Sequence, residues 1–323
     1  MEQKPLVSVV MITYGHEKYI REAMEGVLMQ EGDFELELIV ANDCSPDGSD
    51  TIIKNTIAAN TTKHIVKYFK HEKNLGIMPN FYFALAQCSG DYIAMCEGDD
   101  YWIDTLKIKK QLQVFKDIYE TKLVYSNVKL FYQKTGLYLE KPMRFATREN
   151  QVAKMLESKY IEFATTLFER NFLIDITTRL KEEMLDKVIG DTRIFLEAAH
   201  STKLAYIDEI TTVYRINEES ATQPASIDKY IFVSLDSYNC RKSFVERYGY
   251  PKKMLSKSLL NVFKSFVDKA YCNKNYKNAI KIITNIPFKD FFKYASRTDI
   301  LRFKIFKYFF KMVFIVMNIK NGR

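Results

Sequence analysis

The chain has 323 residues, 47% hydrophobic and 27% charged, with only 11 glycines and 7 prolines, which suits one large α/β domain plus an extension and excludes a low-complexity or collagen-like chain. The formal net charge of +8 suits phosphate-rich ligands or an anionic surface. The five cysteines are irregularly spaced without a Cys-x-x-Cys pair, which argues against a disulfide framework or a zinc site and points to a reducing cytosol.

Met1–Pro5 carries no basic segment followed by an apolar one, so no secretory leader is expected, and no apolar run reaches the ~18 residues of a membrane span. Leu6–Ile12 reads as a buried strand with Thr13–His16 as its exit loop. Tyr19, Ile20, Ala23, Met24, Val27 and Leu28 then recur at helical spacing. Leu36–Ala41 is a second strand. It ends in the polar turn Asn42–Ser49, which offers N-caps to a helix over Thr51–Ala59. Ile65–Phe69 is a third strand, and Asn74–Asn80 leads into a helix over Phe81–Gln87. Tyr92–Cys96 is a short apolar strand, covered on both faces, that runs into Glu97-Gly98-Asp99-Asp100-Tyr101-Trp102.

Three carboxylates within four residues repel one another and lose solvation when buried, so a fold tolerates them best around a cation. Oxygen-only donors favour Mg²⁺ or Mn²⁺, and Mg²⁺ commonly takes one or two carboxylates and completes its shell with water and substrate phosphates. The regular alternation of strands and helices predicts βαβ units and a mainly parallel sheet, with ligands bound beyond the carboxyl ends of its strands. Thr13–Tyr14, Asn42–Asp43 and Glu97–Asp100 all fall at those ends. Neither a Gly-x-Gly-x-x-Gly nor a Gly-Lys-Ser/Thr phosphate loop follows the first strand, which disfavours a nicotinamide or Walker-type site.

Further on, a helix is expected over Thr105–Tyr119 and a strand over Leu123–Tyr132, with a hairpin turn at Lys134–Gly136. Another strand is expected over Ile161–Phe168, a helix over Asn171–Leu180, and short strands over Leu204–Ile207 and Thr211–Tyr214. Asp191 stands where a helix should begin, so a plain helix cap competes with a chemical role. From about Ser226 the chain reads as helical, in segments near Tyr230–Tyr248, Lys253–Tyr271, Tyr276–Thr284 and Arg297–Ile319. Lys304, Lys307 and Lys311 share one stripe of the last, beside Phe306, Phe309 and Phe310. That is a basic amphipathic helix of the kind that lies on a membrane or docks a partner, and plain packing on the catalytic domain is the competing reading.

Taken together, Val-Ser-Val-Val-Met-Ile-Thr-Tyr, Ile-Val-Ala-Asn-Asp-Cys-Ser-Pro-Asp-Gly-Ser, Asn-Leu-Gly, Cys-Glu-Gly-Asp-Asp-Tyr-Trp, Gly-Asp and Tyr-Arg-x-x-Glu-Glu-Ser resemble a bacterial family 2 glycosyltransferase over roughly residues 6–222. The resemblance implies a GT-A fold, with a Rossmann-like, mainly parallel sheet flanked by helices over 1–222, and the residues themselves predict an all-helical extension over 223–323. It implies an inverting, metal-dependent enzyme of the cytoplasm, peripheral to the membrane. Such an enzyme moves a sugar from a nucleotide-sugar donor, a UDP-sugar first, to a saccharide or lipid-linked saccharide acceptor in surface polysaccharide synthesis. A homodimer and a membrane contact through the C-terminal basic helix are further expected partners, and nucleic acid is not one.

By the same resemblance, Thr13, Tyr14 and Asn74 line the nucleotide pocket and Asp43 bonds the base. Asp99 and Asp100 take the ribose and the metal-diphosphate, supported by Glu97 and Trp102. Asp191 is the general base, and Arg215 holds the diphosphate or shapes the site. Two departures stand out: Asn42–Asp43 keeps one of two expected acids, and Ile216–Asn217 lacks an expected His. A nucleotidyltransferase and a non-catalytic saccharide-binding homologue are the competing readings.

Overall fold

The structure is a computed structural model that describes residues 4–141, 148–157, 161–187, 189–217, 227–262, 300 and 304. Strand and helix alternate from the N-terminus: β1 (Leu6–Thr13), α1 (Ile20–Leu28), β2 (Glu35–Asn42), α2 (Ser49–Ala58), β3 (Ile65–Lys70), α3 (Ile77–Ala86) and β4 (Tyr92–Met95). Each βαβ unit returns its strand parallel, giving the order β3-β2-β1-β4. Thr13 pairs with Asn42, so the exits of β1 and β2 open at the same edge.

Strands β1 and β2 are buried on both faces, and alternate side chains share the face under α1. Val7, Val9 and Met11 of β1 and Leu36, Leu38 and Val40 of β2 are buried with Ala23, Met24 and Val27 of α1. Each larger side chain contributes about 1.5–3 kcal/mol by leaving water.

The second half of the sheet is mixed. It comprises β5 (Tyr101–Trp102), β6 (Leu123–Tyr132), β7 (Leu137–Lys141), β8 (Leu167–Glu169) and β9 (Ala205–Ile216), among α4 (Lys107–Asp117), α5 (Arg148–Leu156), α6 (Arg170–Met184) and α7 (Asp191–Ser201). The full order is β3-β2-β1-β4-β8-β6-β9-β5, with β7 on β6. Strand β8 runs antiparallel to β4 and β6, and β9 runs parallel to β6 and antiparallel to β5. The Lys134–Gly136 turn does join β6 to β7, with Gly136 at φ 68°.

Three local expectations change. Ile161–Phe168 is not one strand: Phe163–Thr165 is a 3₁₀ turn and the strand begins at Leu167. The hydroxyls of Thr165 and Thr166 donate to the Glu162 and Phe163 carbonyls at 2.7 Å each, and this local bonding competes with the ladder. The two short strands near 204–214 are one strand, β9, with a register shift opposite Ser126–Val128. Helix α3 starts at Ile77, ahead of Phe81, because Pro79 is tolerated in a first turn.

The chain divides into two compact units, Met1–Gln151 with Tyr160–Asn217, and Val152–Lys159 with Glu218–Arg323. In the second, α8 (Ile227–Tyr248) ends at Gly249, φ 69°, where the Tyr250 N–H reaches the Val245 carbonyl at 3.1 Å. Buried Arg241 donates through Nε to the Met155 carbonyl at 2.8 Å. No helix among the described residues is long and apolar enough to cross a membrane. Tyr276–Thr284 lies outside the described residues, as does Arg297–Ile319 apart from Ile300 and Lys304.

Candidate active site

The acidic turn leaves β4 and is caught between β1 and β9. The Gly98 N–H donates to the Ile12 carbonyl at 3.1 Å, which carries the turn alongside the end of β1. A Cβ on Gly98 would stand 2.7 Å from Thr13 Oγ1 and 2.8 Å from His16 Nδ1, so only glycine lets the turn lie this close. Behind it, a Cβ on Gly26 of α1 would lie 2.8 Å from the Trp102 carbonyl oxygen, so α1 and β5 meet backbone to backbone.

Asp100 is only 3% exposed, and its Oδ1 accepts the backbone N–H of Arg215 at 2.8 Å. Burial, reinforced by the charges of Asp99 and Glu97, holds its carboxyl well above the usual carboxylate range. Asp99 Oδ2 lies 4.0 Å from His16 Nε2 and accepts a long bond, 3.4 Å, from Asn217 Nδ2. Asn217 thus occupies the neighbourhood in which the resemblance expects a His. Glu97 is half-buried, and its buried Oε2 has no hydrogen-bond partner. Burial, then the charges of Asp99, Asp191 and Glu162, push its carboxyl up to about 8.

Arg215, 6% exposed, serves the turn with its whole length. Its Nε donates to the Asp99 carbonyl at 2.9 Å, Nη2 to Glu22 Oε2 at 2.6 Å and Nη1 to Gln133 Oε1 at 3.2 Å. The guanidinium also stands 4.7 Å from the Tyr19 ring centroid and 4.9 Å from that of Tyr101. Of the two roles the resemblance allows, these bonds accord with shaping the site.

Thr13 is buried, and its Oγ1 lies 3.2 Å from His16 Nδ1, whereas Tyr14 is 49% exposed at the mouth. Asp43 faces the next loop: Oδ1 accepts the Leu75 N–H at 2.7 Å and Oδ2 the Gly76 N–H at 2.9 Å. This clamp sets exposed Asn74 at the same edge. Trp102, 1% exposed, is a packing residue whose Nε1 donates to the Ala164 carbonyl at 2.8 Å.

Asp191 is the first residue of α7. The cap position is Gly190 and no side chain caps it, so Asp191 is not a plain helix cap. Its Oδ1 accepts its neighbour Thr192 N–H at 2.6 Å, and its charge raises both Glu97 and Glu162. The fold therefore brings Asp191, distant in sequence, within electrostatic reach of Glu97 and Glu162.

Sequence reading missed Glu162. It is buried, takes Lys141 Nζ at 2.7 Å, and is raised by burial and by Asp191. An acid inside the apolar run Tyr160-Ile-Glu-Phe-Ala164 was the available signal. His16, which reads most simply as a loop residue, also joins the site, as does Glu22.

Among the described residues, no three His, Cys, Asp or Glu side chains converge on one metal point. The donor set is nonetheless suited to a hard cation shared with a ligand's phosphates: the Asp99 carboxylate, the free oxygen of Asp100, and an orphaned buried oxygen on Glu97.

Residues 8–177, more than half the chain, match the profile of glycosyl transferase family 2, and the chain belongs to that family. Its α/β fold is GT-A-like. An uncharacterised protein of Mycobacterium tuberculosis is 28% identical over 226 residues, 70% of this chain and 63% of that protein, so the chain spans less than two thirds of that relative's length. A putative teichuronic acid biosynthesis glycosyltransferase of Bacillus subtilis, TuaG, is 33% identical over 34% of this chain and 42% of its own. Among solved structures, Staphylococcus aureus TarS in complex with UDP-GlcNAc superposes with a TM-score of 0.55 at 16% identity, covering 81% of each chain. The mannosyltransferase PcManGT of Pyrobaculum calidifontis, in complex with GDP-Man and Mn²⁺, gives 0.52 at 13% identity over 82% of this chain and 75% of that one.

Proposed function

We propose that the protein is an inverting glycosyltransferase that moves a sugar from a nucleotide-sugar donor to a saccharide or lipid-linked saccharide acceptor of a surface polysaccharide. The observation that carries this is the separation of acids into two groups. Asp99 and Asp100 sit on the β4–β5 turn, and Asp191 approaches from α7, near enough for its charge to act on Glu97.

Thr13, Tyr14 and Asn74 border the nucleoside, with Asp43 fixing the Leu75–Gly76 turn beside it. Asp99 and Asp100 would hold a divalent metal, Mg²⁺ or Mn²⁺, together with the donor diphosphate. When bound, that ion supplies neutralisation of the charge that develops on the leaving diphosphate. Arg215 contributes by fixing the turn. Asp191 takes the proton of the acceptor hydroxyl. The acceptor oxygen bonds to the anomeric carbon as the bond from that carbon to the diphosphate oxygen breaks, and inversion follows from attack opposite the leaving group. A positioned base of this kind contributes about 10²–10⁴-fold.

The complexes of TarS with UDP-GlcNAc and of PcManGT with GDP-Man and Mn²⁺ support a nucleotide-sugar donor and a metal. The likeness to TuaG supports polysaccharide chemistry. The basic stripe at Lys304, Lys307 and Lys311 would bring the enzyme to the cytoplasmic face of the membrane, where a lipid-linked acceptor is met.

The test is product analysis with UDP-GlcNAc, UDP-Glc, UDP-Gal and GDP-Man, with and without Mn²⁺. Metal-dependent release of nucleoside diphosphate is expected. Formation of nucleoside triphosphate and sugar 1-phosphate on addition of pyrophosphate would instead mark a nucleotidyltransferase, and no turnover of any donor would favour a non-catalytic binding protein.

A further inference from the structure

Beneath the acidic turn lies a cation that the transfer chemistry does not use. Lys107, at the start of α4, is 0% exposed. Its Nζ donates to Gln111 Oε1 at 2.8 Å and stands 4.1 Å from the centroid of the Trp102 ring. Asp104, an acid whose charge bears on it, spends its own carboxylate on Lys110 Nζ at 2.7 Å and the Leu106 N–H at 2.9 Å.

The cluster extends in both directions. Gln111 Nε2 donates to the Thr165 carbonyl at 2.8 Å and the Val124 carbonyl at 3.3 Å, while the indole donates to the Ala164 carbonyl. Ammonium, amide and indole therefore join α4, β5, β6 and the Phe163–Thr165 turn. The first residue of β5 follows Asp100, and the first of that turn follows Glu162. Acids on both flanks of the crevice thus hang from one buried polar cluster.

A buried ammonium is costly, and an apolar side chain such as Met would fill the space at lower cost. What the cation adds is direction, because it is attracted to the face of the indole and orients that ring.

We infer that Lys107 is a positioning residue of the acidic turn: its buried ammonium, held between Gln111 and Trp102, sets β5 and with it the Asp99–Asp100 pair, and loss of its proton releases them. Its consequence for catalysis rests on the proposed donor site, whereas the positioning does not. Burial pushes the amine down to about 7, opposed by Cys96 and Asp104 beside it, so the proton is exchanged within the working range of a cell. The titratable groups that face it are the Cys96 thiol at the end of β4, raised well above its ordinary value by burial, and the Asp104 carboxylate. From α1, β6 and the Phe163–Thr165 turn the cluster receives Gly26, Val124 and Thr165, none of which titrates.

Trp102 is the single tryptophan of the chain, so its emission reads Lys107 directly. Fluorescence of the full chain is followed from pH 5.5 to 9, with hydrogen exchange measured by mass spectrometry at both ends and corrected for intrinsic rates. The expected result is an emission step with a midpoint near 7 in the wild type and in Glu97→Gln, the latter removing the nearby carboxyl pushed up to about 8, and no such step in Lys107→Met or Lys107→Arg. Above the midpoint, exchange in residues 97–103 and 211–216 should rise about ten-fold while β1 and β2 stay unchanged, an opening below the global one. Lys107→Met should show the faster exchange at both pH values, and Lys107→Arg the slower.

Flat emission in the wild type overturns the inference, as does a step that survives in Lys107→Met. An emission step without a change in exchange at 97–103 overturns the positioning role. Should Lys107→Met not fold, the wild type, Glu97→Gln and Lys107→Arg still decide. No arm needs a substrate, so failure of sugar transfer and failure of this inference are separate results.

Discussion

Arg215 holds Asp100 and Asp99 by different atoms: its backbone N–H donates to Asp100 Oδ1 at 2.8 Å, and its Nε to the Asp99 carbonyl at 2.9 Å. One residue of β9 thereby fixes two successive residues of the turn, one through a side chain and one through the backbone. The fork is anchored in turn by Glu22 of α1 and Gln133. A lysine has no planar fork and cannot make these bonds together. Arg215→Lys should therefore leave the fold intact by circular dichroism while turnover of the donor falls about 10²-fold, the scale of a misplacement near 1 Å. Glu22→Gln, which keeps an acceptor oxygen, should cost much less. Equal turnover in Arg215→Lys and wild type would mean the turn holds itself.

Gly26 makes a second prediction, about stability. A Cβ there would meet the Trp102 carbonyl oxygen at 2.8 Å and its nitrogen at 2.9 Å, both backbone atoms that cannot rotate away. Alanine normally favours a helix over glycine. Here Gly26→Ala should instead destabilise by about 1–3 kcal/mol, because α1 and β5 must separate. Thermal unfolding checks the sign, and an increase in Tm would show that the interface has slack.

Much of this was legible in the residues. The alternation of apolar runs with helical periods predicts the parallel half of the sheet, and the acids at 97–100 identify its ligand edge. Less visible was anything built across large sequence separations. Arg215 reaches Asp100 only because β9 lies beside β5, and nothing in the local pattern near 215 announces that neighbour. Asn42, where an acid was expected, becomes intelligible through its partners: Nδ2 donates to Tyr68 Oη at 3.0 Å while that hydroxyl donates to Asp50 Oδ1 at 2.7 Å. A carboxylate at 42 could not donate, and would compete with Asp50 for one proton. Ile161–Phe168 misled for the opposite reason. Its apolar content resembles a strand, and two threonine hydroxyls fold part of it into a turn.

Glu37 predicts the acid limb of stability. It is buried on β2, where burial alone would raise its carboxyl. Lys67 Nζ at 2.6 Å, Ser8 Oγ at 2.5 Å and the Ser89 N–H at 2.7 Å outweigh this and hold it below the ordinary range. A carboxyl depressed by folding binds its proton more readily in the unfolded chain. Its stabilisation is full above the unfolded value of ~4.3 and is lost as pH falls through the lower folded value. Denaturant unfolding at pH 7 and at pH 3 should show a smaller difference for Glu37→Gln than for the wild type. An identical difference would mean that other carboxylates carry the acid transition.

Asp191 and Asp100 should separate binding from chemistry. Asp100 lies on the turn proposed to meet the donor, and Asp191 comes from α7 with its charge reaching Glu97. Asp191→Asn keeps the shape and removes the base, so donor affinity should persist while transfer falls by about 10²–10⁴-fold. Asp100→Asn removes charge at the donor, so Mn²⁺-dependent stabilisation by UDP-GlcNAc should be lost together with transfer. In the wild type that ligand at 100 times its dissociation constant should raise stability by about 2.7 kcal/mol, which a thermal shift resolves. Near wild-type turnover in Asp191→Asn would remove it as the base and leave Glu162, a buried acid of that flank, as the residue to replace next.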